Sequence, residues 1–214
     1  MKLIPFDSTQ SIKNQIITNQ NLQISVAFEH VNSFLNINFL IHGSVEAYKL
    51  LESFPADLKK EWSTELYNQK EDLWKSTCFE FFLKKQNSSS YIELNLSPLG
   101  FWNMYRFSDY RKDMTKAKKA PPFKVTMEKS SSSFRFSFPL SLQFIQKALD
   151  EPQLVWSQLE FKPTLVLEEV SGIHSYWAAL HLQEKPDFHD LNAFSPYHTS
   201  SFLHTPFDKL NVRK

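Results

Sequence analysis

Apolar residues recur at every second position along most of this chain, and that spacing limits what it can fold into. Leu22, Ile24, Val26 and Phe28 form one such run, and Leu35, Ile37, Phe39 and Ile41 form the next, with Asn36 and Asn38 interleaved. Phe79, Phe81 and Leu83 alternate with Cys78, Glu80 and Phe82. Ile92, Leu94 and Leu96 alternate with Tyr91, Glu93, Asn95 and Ser97, and Phe134, Phe136 and Phe138 with Arg135 and Ser137. The runs 163–170 and 175–181 are also β-like. Successive side chains of a strand point to opposite faces, so each run carries one core stripe and one outer stripe. Many such runs separated by polar turns predict an all-β, antiparallel β-sandwich of two packed sheets, jelly-roll-like, and the 20 phenylalanines suit its core.

The turn chemistry agrees. Gln86 to Ser90 and Ser130 to Ser133 read as hairpin loops, and Ser171-Gly172 as the break before the last strand, with Gly172 free to take positive φ. Two segments predict short helices: Leu58, Trp62 and Leu66 at a spacing of four, and Leu142, Ile145 and Leu149 behind a Ser141 cap. Lys112 to Pro122 reads as an exposed loop. With 214 residues, no internal repeat and no linker-length composition shift, a single domain over 1–214 is expected.

Composition removes several function classes. Lys and Arg total 24 against 23 Asp and Glu, a net charge of +1, which lacks the basic excess of a general nucleic-acid binder. Average usage of about 7% would give roughly 15 glycines. The chain has 3, none clustered, so neither a P-loop nor a dinucleotide fingerprint is present. The single cysteine, Cys78, forms no internal disulfide and reads as a buried thiol. No signal-peptide pattern and no apolar run of membrane-spanning length occur, which predicts a cytoplasmic protein without a membrane partner.

The outer stripes are unusual for solvent-facing strands. Counted by twos, Trp74 shares a face with Glu80. Tyr91, Glu93 and Asn95 share the polar face of the next strand, and Trp177 falls with Ser175, Ala179 and His181. Indole and phenol faces beside carboxylates and amides suit a sugar, whose C–H face lies on a ring while its hydroxyls take bidentate polar partners. The same faces serve equally as core under a further covering layer.

The blocks 73–82 (LWKSTCFEFF), 93–100 (ELNLSPLG), 105–111 (YRFSDYR), 175–181 (SYWAALH) and 186–189 (PDFH) resemble the DOMON-like family of stand-alone bacterial proteins, akin to the family 9 carbohydrate-binding module. The resemblance implies a β-sandwich that binds a mono- or oligosaccharide without catalysis. It implies that Trp74 and Trp177 sandwich the sugar, with Glu80 six residues after the first tryptophan, and that Arg106 binds hydroxyls. The carbohydrate-binding set expected is therefore Trp74, Glu80, Tyr91, Glu93, Asn95, Arg106, Trp177 and His181. The last block, Pro186-Asp187-Phe188-His189, lies outside the sugar-module pattern. It reads as a turn in which Asp187 accepts backbone amides and Phe188 docks in the core.

Two alternatives stay open. Glu80 and Glu93 are candidates for the acid and base of a glycoside-processing enzyme. His174, His181 and His189, with Met1, Met104, Met114 and Met127, are the candidate ligands of a metal or haem, as in some DOMON relatives, although the histidines lack zinc-helix spacing. No cofactor is expected. A structural calcium ion, common in the sugar modules, remains an option, though no acidic loop of EF-hand type is present.

Overall fold

A computed structural model describes residues 1–5, 22–43, 45–49, 59–65 and 68–197. In chain order the strands are β1 (Lys2–Pro5), β2 (Gln23–Val31), β3 (Phe34–His42), β4 (Lys59–Ser63), β5 (Cys78–Lys85), β6 (Tyr91–Leu96), β7 (Trp102–Phe107) and β8 (Thr115–Lys116). They continue with β9 (Lys124–Lys129), β10 (Ser133–Ser141), β11 (Leu159–Glu168), β12 (His174–Ala178) and β13 (Ser195–Pro196), and one helix, α1 (Leu142–Leu149), follows β10. Neighbouring strands pair antiparallel in the order β4-β9-β10-β3-β2-β1-β12-β11-β5-β6-β7-β8, and β13 pairs with β11. β1 is the hinge of this path. Its Leu3 pairs with Ile24 and its Ile4 with Ala178, so one short strand belongs to both a first sheet (β4 to β1) and a second (β1 to β8).

The two sheets face each other across a core of the alternating residues. Phe39, Phe134, Phe136 and Phe138 of the first sheet meet Phe79, Phe81 and Phe161 of the second. The Phe79 and Phe136 rings stack with centroids 4.0 Å apart and planes 2° from parallel. Phe28 reaches across to Phe161 at 4.6 Å. This is the sandwich that the period-two pattern predicts.

Local expectations are also met at both serine loops and at α1. The Ser141 hydroxyl accepts from the Phe144 amide at 3.1 Å, leaving Ile145 and Leu149 buried under the helix. Gly172 takes φ 87° at the β11–β12 turn. The other predicted helix is not one. Residues 59–63 form β4, which pairs with β9 and buries Trp62 opposite Val125. A spacing of four is even, so it satisfies a strand as well as a helix, and pairing to β9 decides between them. Leu58 and Leu66 lie outside the described residues. Among the described residues, no helix is long and apolar enough to cross a membrane.

Candidate functional site

The central strands of the second sheet, β5, β6 and β11, are buried on both faces. β6 alternates Ile92, Leu94 and Leu96 into the main core with Tyr91, Glu93 and Asn95 on the outer face, and β5 alternates likewise. On that outer face Leu73, Cys78, Phe82, Tyr91, Phe107, Val166, Ala178 and Phe188 form a second apolar cluster. Above it opens a cleft of about 830 Å³. Its walls are aromatic: Trp74, Phe82, Tyr105, Phe107, Tyr176 and Phe188 all line it. Trp74 is 47% exposed, unlike the other tryptophans of β4, β7 and β12, which are buried. At the floor lie Glu80 and Glu93, and at the rim Glu71, Asp72, Arg111, Lys116, Lys185 and His189.

The floor is a buried polar network. Glu80 is opposite Asn95 in the β5–β6 pairing, and Glu93 lies one step along the same face. Glu80 Oε2 accepts from the Thr164 hydroxyl at 3.1 Å, and Glu93 Oε1 accepts from Asn95 Nδ2 at 2.6 Å. Glu80 and Glu93 are only 3% and 6% exposed. Burial raises the pKa of both, and for Glu80 the neighbouring Glu93 raises it further. Burial likewise pushes Lys162, which donates to the Asp190 carbonyl at 3.1 Å, down to about 8. The Cys78 thiol is fully buried and pushed well up, by burial and then by Glu80.

A strap formed by residues 186–190 closes one side. The Asp187 carboxylate accepts from the Tyr110 hydroxyl at 2.7 Å, from Arg111 Nη2 at 3.0 Å and from the His189 amide at 3.0 Å. These bonds hold its pKa below the usual range against the effect of burial. His189 Nδ1 lies 2.7 Å from the Tyr91 hydroxyl, and its Nε2 lies 3.7 Å from Glu93 Oε2. Burial, then the Arg111 charge, lowers His189 to about 4, so the ring is neutral at pH 7. Asp187 thus serves as the amide acceptor expected of the turn. Phe188 docks in the second cluster and not between the sheets.

Of the expected residues, Trp74, Glu80 and Glu93 line this cleft, while Asn95 and Tyr91 lie beneath it and bind its lining groups. Trp74 arrives by another route than alternation, because residues 73–75 form a 3-10 turn and not a strand. Three residues are elsewhere. Trp177 is 2% exposed and belongs to the core between the sheets, its Nε1 donating to Ser175 Oγ at 2.9 Å. It is Tyr176 and Ala178 that face the cleft side. β12 carries large apolar groups at both parities, so period two separates the faces without saying which is inner. Arg106 is exposed on β7, between Tyr105 and Phe107, which both line the cleft, and so it projects to the opposite face. Arg111 lines the cleft instead. His181 follows the end of β12, where alternation has stopped, and its Nε2 pairs with the Ile4 carbonyl.

Arg111, Asp187 and His189 are the groups that spacing did not find. They sit on loops, and only the block resemblance had marked them. Among the described residues no group of three or more His, Cys, Asp or Glu side chains is gathered to hold a metal. His174, one of the candidate ligands, pairs with the Lys75 carbonyl at 3.0 Å.

No family model matches the chain, and no curated protein matches it. Among solved structures, a carbohydrate-binding candidate protein from Bacteroides uniformis is similar over 90% of this chain and 83% of its own, at 12% identity and a TM-score of 0.49.

Proposed function

We propose that the cleft on the outer face of the second sheet binds a carbohydrate. The observation that carries this reading is an exposed indole, Trp74, on the same cleft as the buried acids Glu80 and Glu93. The aromatic walls supply flat apolar surface for the C–H face of a pyranose, while the floor supplies directional hydrogen-bonding groups for hydroxyls. Asn95 and Tyr91 hold those groups in position from below. The block resemblance to the DOMON-like and family 9 modules adds support, since two of the residues it marks, Trp74 and Glu80, line the cleft, while Trp177 is packed between the sheets. The test is calorimetric titration with mono- and disaccharides beside Trp74→Ala. Loss of the ring lowers affinity roughly ten- to hundredfold, about 1.4–2.8 kcal/mol, with the fold intact. Absence of binding across a broad glycan panel ends the reading.

A second reading rests on a separate observation, two adjacent carboxyls buried on one face, where burial raises the proton affinity of both. A carboxyl that keeps its proton near neutrality beside an ionised one is the arrangement of a glycoside acid–base pair. Release of the aglycone from a panel of nitrophenyl glycosides, abolished by Glu80→Gln, would favour it over binding alone.

A further inference from the structure

The hydrogen bonds of the cleft floor bear on where its protons are. The Arg111 backbone amide donates to the Tyr91 hydroxyl at 3.2 Å, and the same hydroxyl, with its own hydrogen to give, lies 2.7 Å from His189 Nδ1, the His189 tautomer setting the direction of that bond. A neutral imidazole that accepts at Nδ1 carries its own hydrogen on Nε2, the atom facing Glu93 Oε2. Asn95 Nδ2 donates to the other oxygen of Glu93. In that tautomer Glu93 accepts from Asn95 at Oε1 and has an N–H facing Oε2 at 3.7 Å, an environment that favours Glu93 as the ionised member of the pair. Glu80 is different. Asn95 Oδ1 is buried with no hydrogen-bond partner, and Glu80 stands directly opposite Asn95 across the strands. A proton on Glu80 is the donor that Asn95 Oδ1 lacks, while the Thr164 hydroxyl satisfies Glu80 Oε2.

Two carboxyls thus share a floor with one proton, and among the described residues neither makes a direct ion pair with a lysine or arginine. The basic side chain nearest to hand is the neutral His189, 3.7 Å from Glu93 Oε2. Of the surrounding cations, Arg111 pairs with Asp187, Lys116 with Glu71 and Lys75 with Asp72, Lys162 donates to a backbone carbonyl, and Lys185 stands at the rim; Lys162 and Arg111 act on the two carboxyls only as longer-range charges. Such a floor lacks one positive charge with several N–H donors. Aromatic walls above it favour the same kind of group through their π faces.

Building on the reading that the cleft takes a sugar, we propose that its preferred ligand is an amino sugar. Its ring lies on Trp74, and its protonated amine sits between Glu80 and Glu93, taking over from the proton that Glu80 holds toward Asn95 Oδ1. No covalent bond changes. Glu80 gives its proton to solvent, and the ligand's ammonium donates to both carboxylates. The raised proton affinity of the pair makes this exchange pH-dependent, because protons compete with the amine up to neutral pH. The other groups facing the pair are Cys78 on β5, Tyr91 on β6, Tyr105 on β7, Lys162 on β11, and Arg111, Asp187 and His189 from the loops. Tyr91 and Tyr105 are pushed up to about 12 and stay neutral through that range.

Calorimetric titration of the whole chain with D-glucosamine, D-glucose and N-acetyl-D-glucosamine tests this, at pH 5.5 and 7.5 and in two buffers of different ionisation heat. Glucosamine should bind at least tenfold more tightly than glucose at pH 7.5. The advantage should vanish on acetylation and shrink at pH 5.5, where the amine is fully protonated before binding and the buffer-dependent heat reports proton release. In Glu80→Gln, checked by thermal melting, glucosamine should fall to the level of glucose. Equal affinity for glucosamine and glucose overturns the amine assignment and leaves the sugar reading standing. Glucosamine binding at pH 5.5 without proton release overturns the exchange. No binding of any of the three ends both.

Discussion

The outer faces of the two sheets are built differently. In the first, β3 and β10 bury every second residue and leave the intervening ones half-exposed, with Asn36, Asn38, Arg135 and Ser137 toward solvent. In the second, every residue of β6 is buried, and the outer side chains of β5 and β6 include Glu80, Glu93 and Asn95 as well as Phe82 and Tyr91. A solvated polar face needs no explanation, since water satisfies it. Burying a carboxyl costs several kcal/mol unless it is paired or neutralised. The second sheet bears that cost twice on one cleft, and a fold that needed only stability would have closed this face with apolar side chains.

The largest effect expected separates core from cleft within the tryptophans. Trp177→Ala removes an indole from between the sheets and should cost about 3–5 kcal/mol in urea unfolding. Trp74→Ala, at a half-exposed position, should stay within about 0.5 kcal/mol. If Trp177→Ala were as mild as Trp74→Ala, its place in the core would be wrong.

That pair also marks how far the sequence could be read. The inner stripes were legible because they are purely apolar at one parity: Phe134, Phe136 and Phe138 could only face inward. Glu80, Glu93 and Asn95 were legible as their complement on neighbouring strands. β12 was not, because Tyr176 and Trp177 are both large and aromatic, and only pairing to Leu165 and Val166 of β11 fixes which one is inner. Trp62 failed for a related reason, a spacing common to helix and strand. Arg111 and His189 reach the cleft from loops, where no periodicity operates. Their positions depend on Asp187, which lies 76 residues from Arg111 in sequence, and a contact over such a distance leaves no local signal.

A smaller effect tests the electrostatics of the second sheet by pH. Glu80 and Glu93 hold protons more tightly folded than unfolded, so their contribution is complete below the unfolded value of about 4.3. It is lost as pH rises through their folded values. His189, lowered to about 4, acts oppositely but only below its unfolded value of about 6.5. Lys162, lowered to about 8, adds stability with rising pH only from there upward. The window between about pH 6.5 and 8 therefore isolates the carboxyls, apart from the lowered Met1 amine, whose influence cancels in a comparison of variants. Wild-type stability should fall across that window relative to Glu80→Gln, by at most about 1.4 kcal/mol per pH unit for each proton. Parallel urea midpoints for the two proteins would show that the floor carries no excess protons.

The smallest effect belongs to the first sheet and completes the contrast. Ser137 Oγ donates to Asn38 Oδ1 at 2.8 Å, between residues directly opposite each other on β10 and β3. On the second sheet Asn95 Nδ2 donates to the Glu93 carboxyl, two residues away on β6, at 2.6 Å. The two differ in what replaces the lost partner. Ser137 and Asn38 are half-buried on an open face, so water takes the vacated position, and Ser137→Ala should cost only about 0.5–1 kcal/mol, the low end for a net hydrogen bond. Its loss should not depend on pH, because neither partner titrates. A cost above about 2 kcal/mol would mean that water does not reach this face. The outer surface of the first sheet would then be as closed as that of the second, and burial alone would no longer distinguish the sheet that carries the cleft.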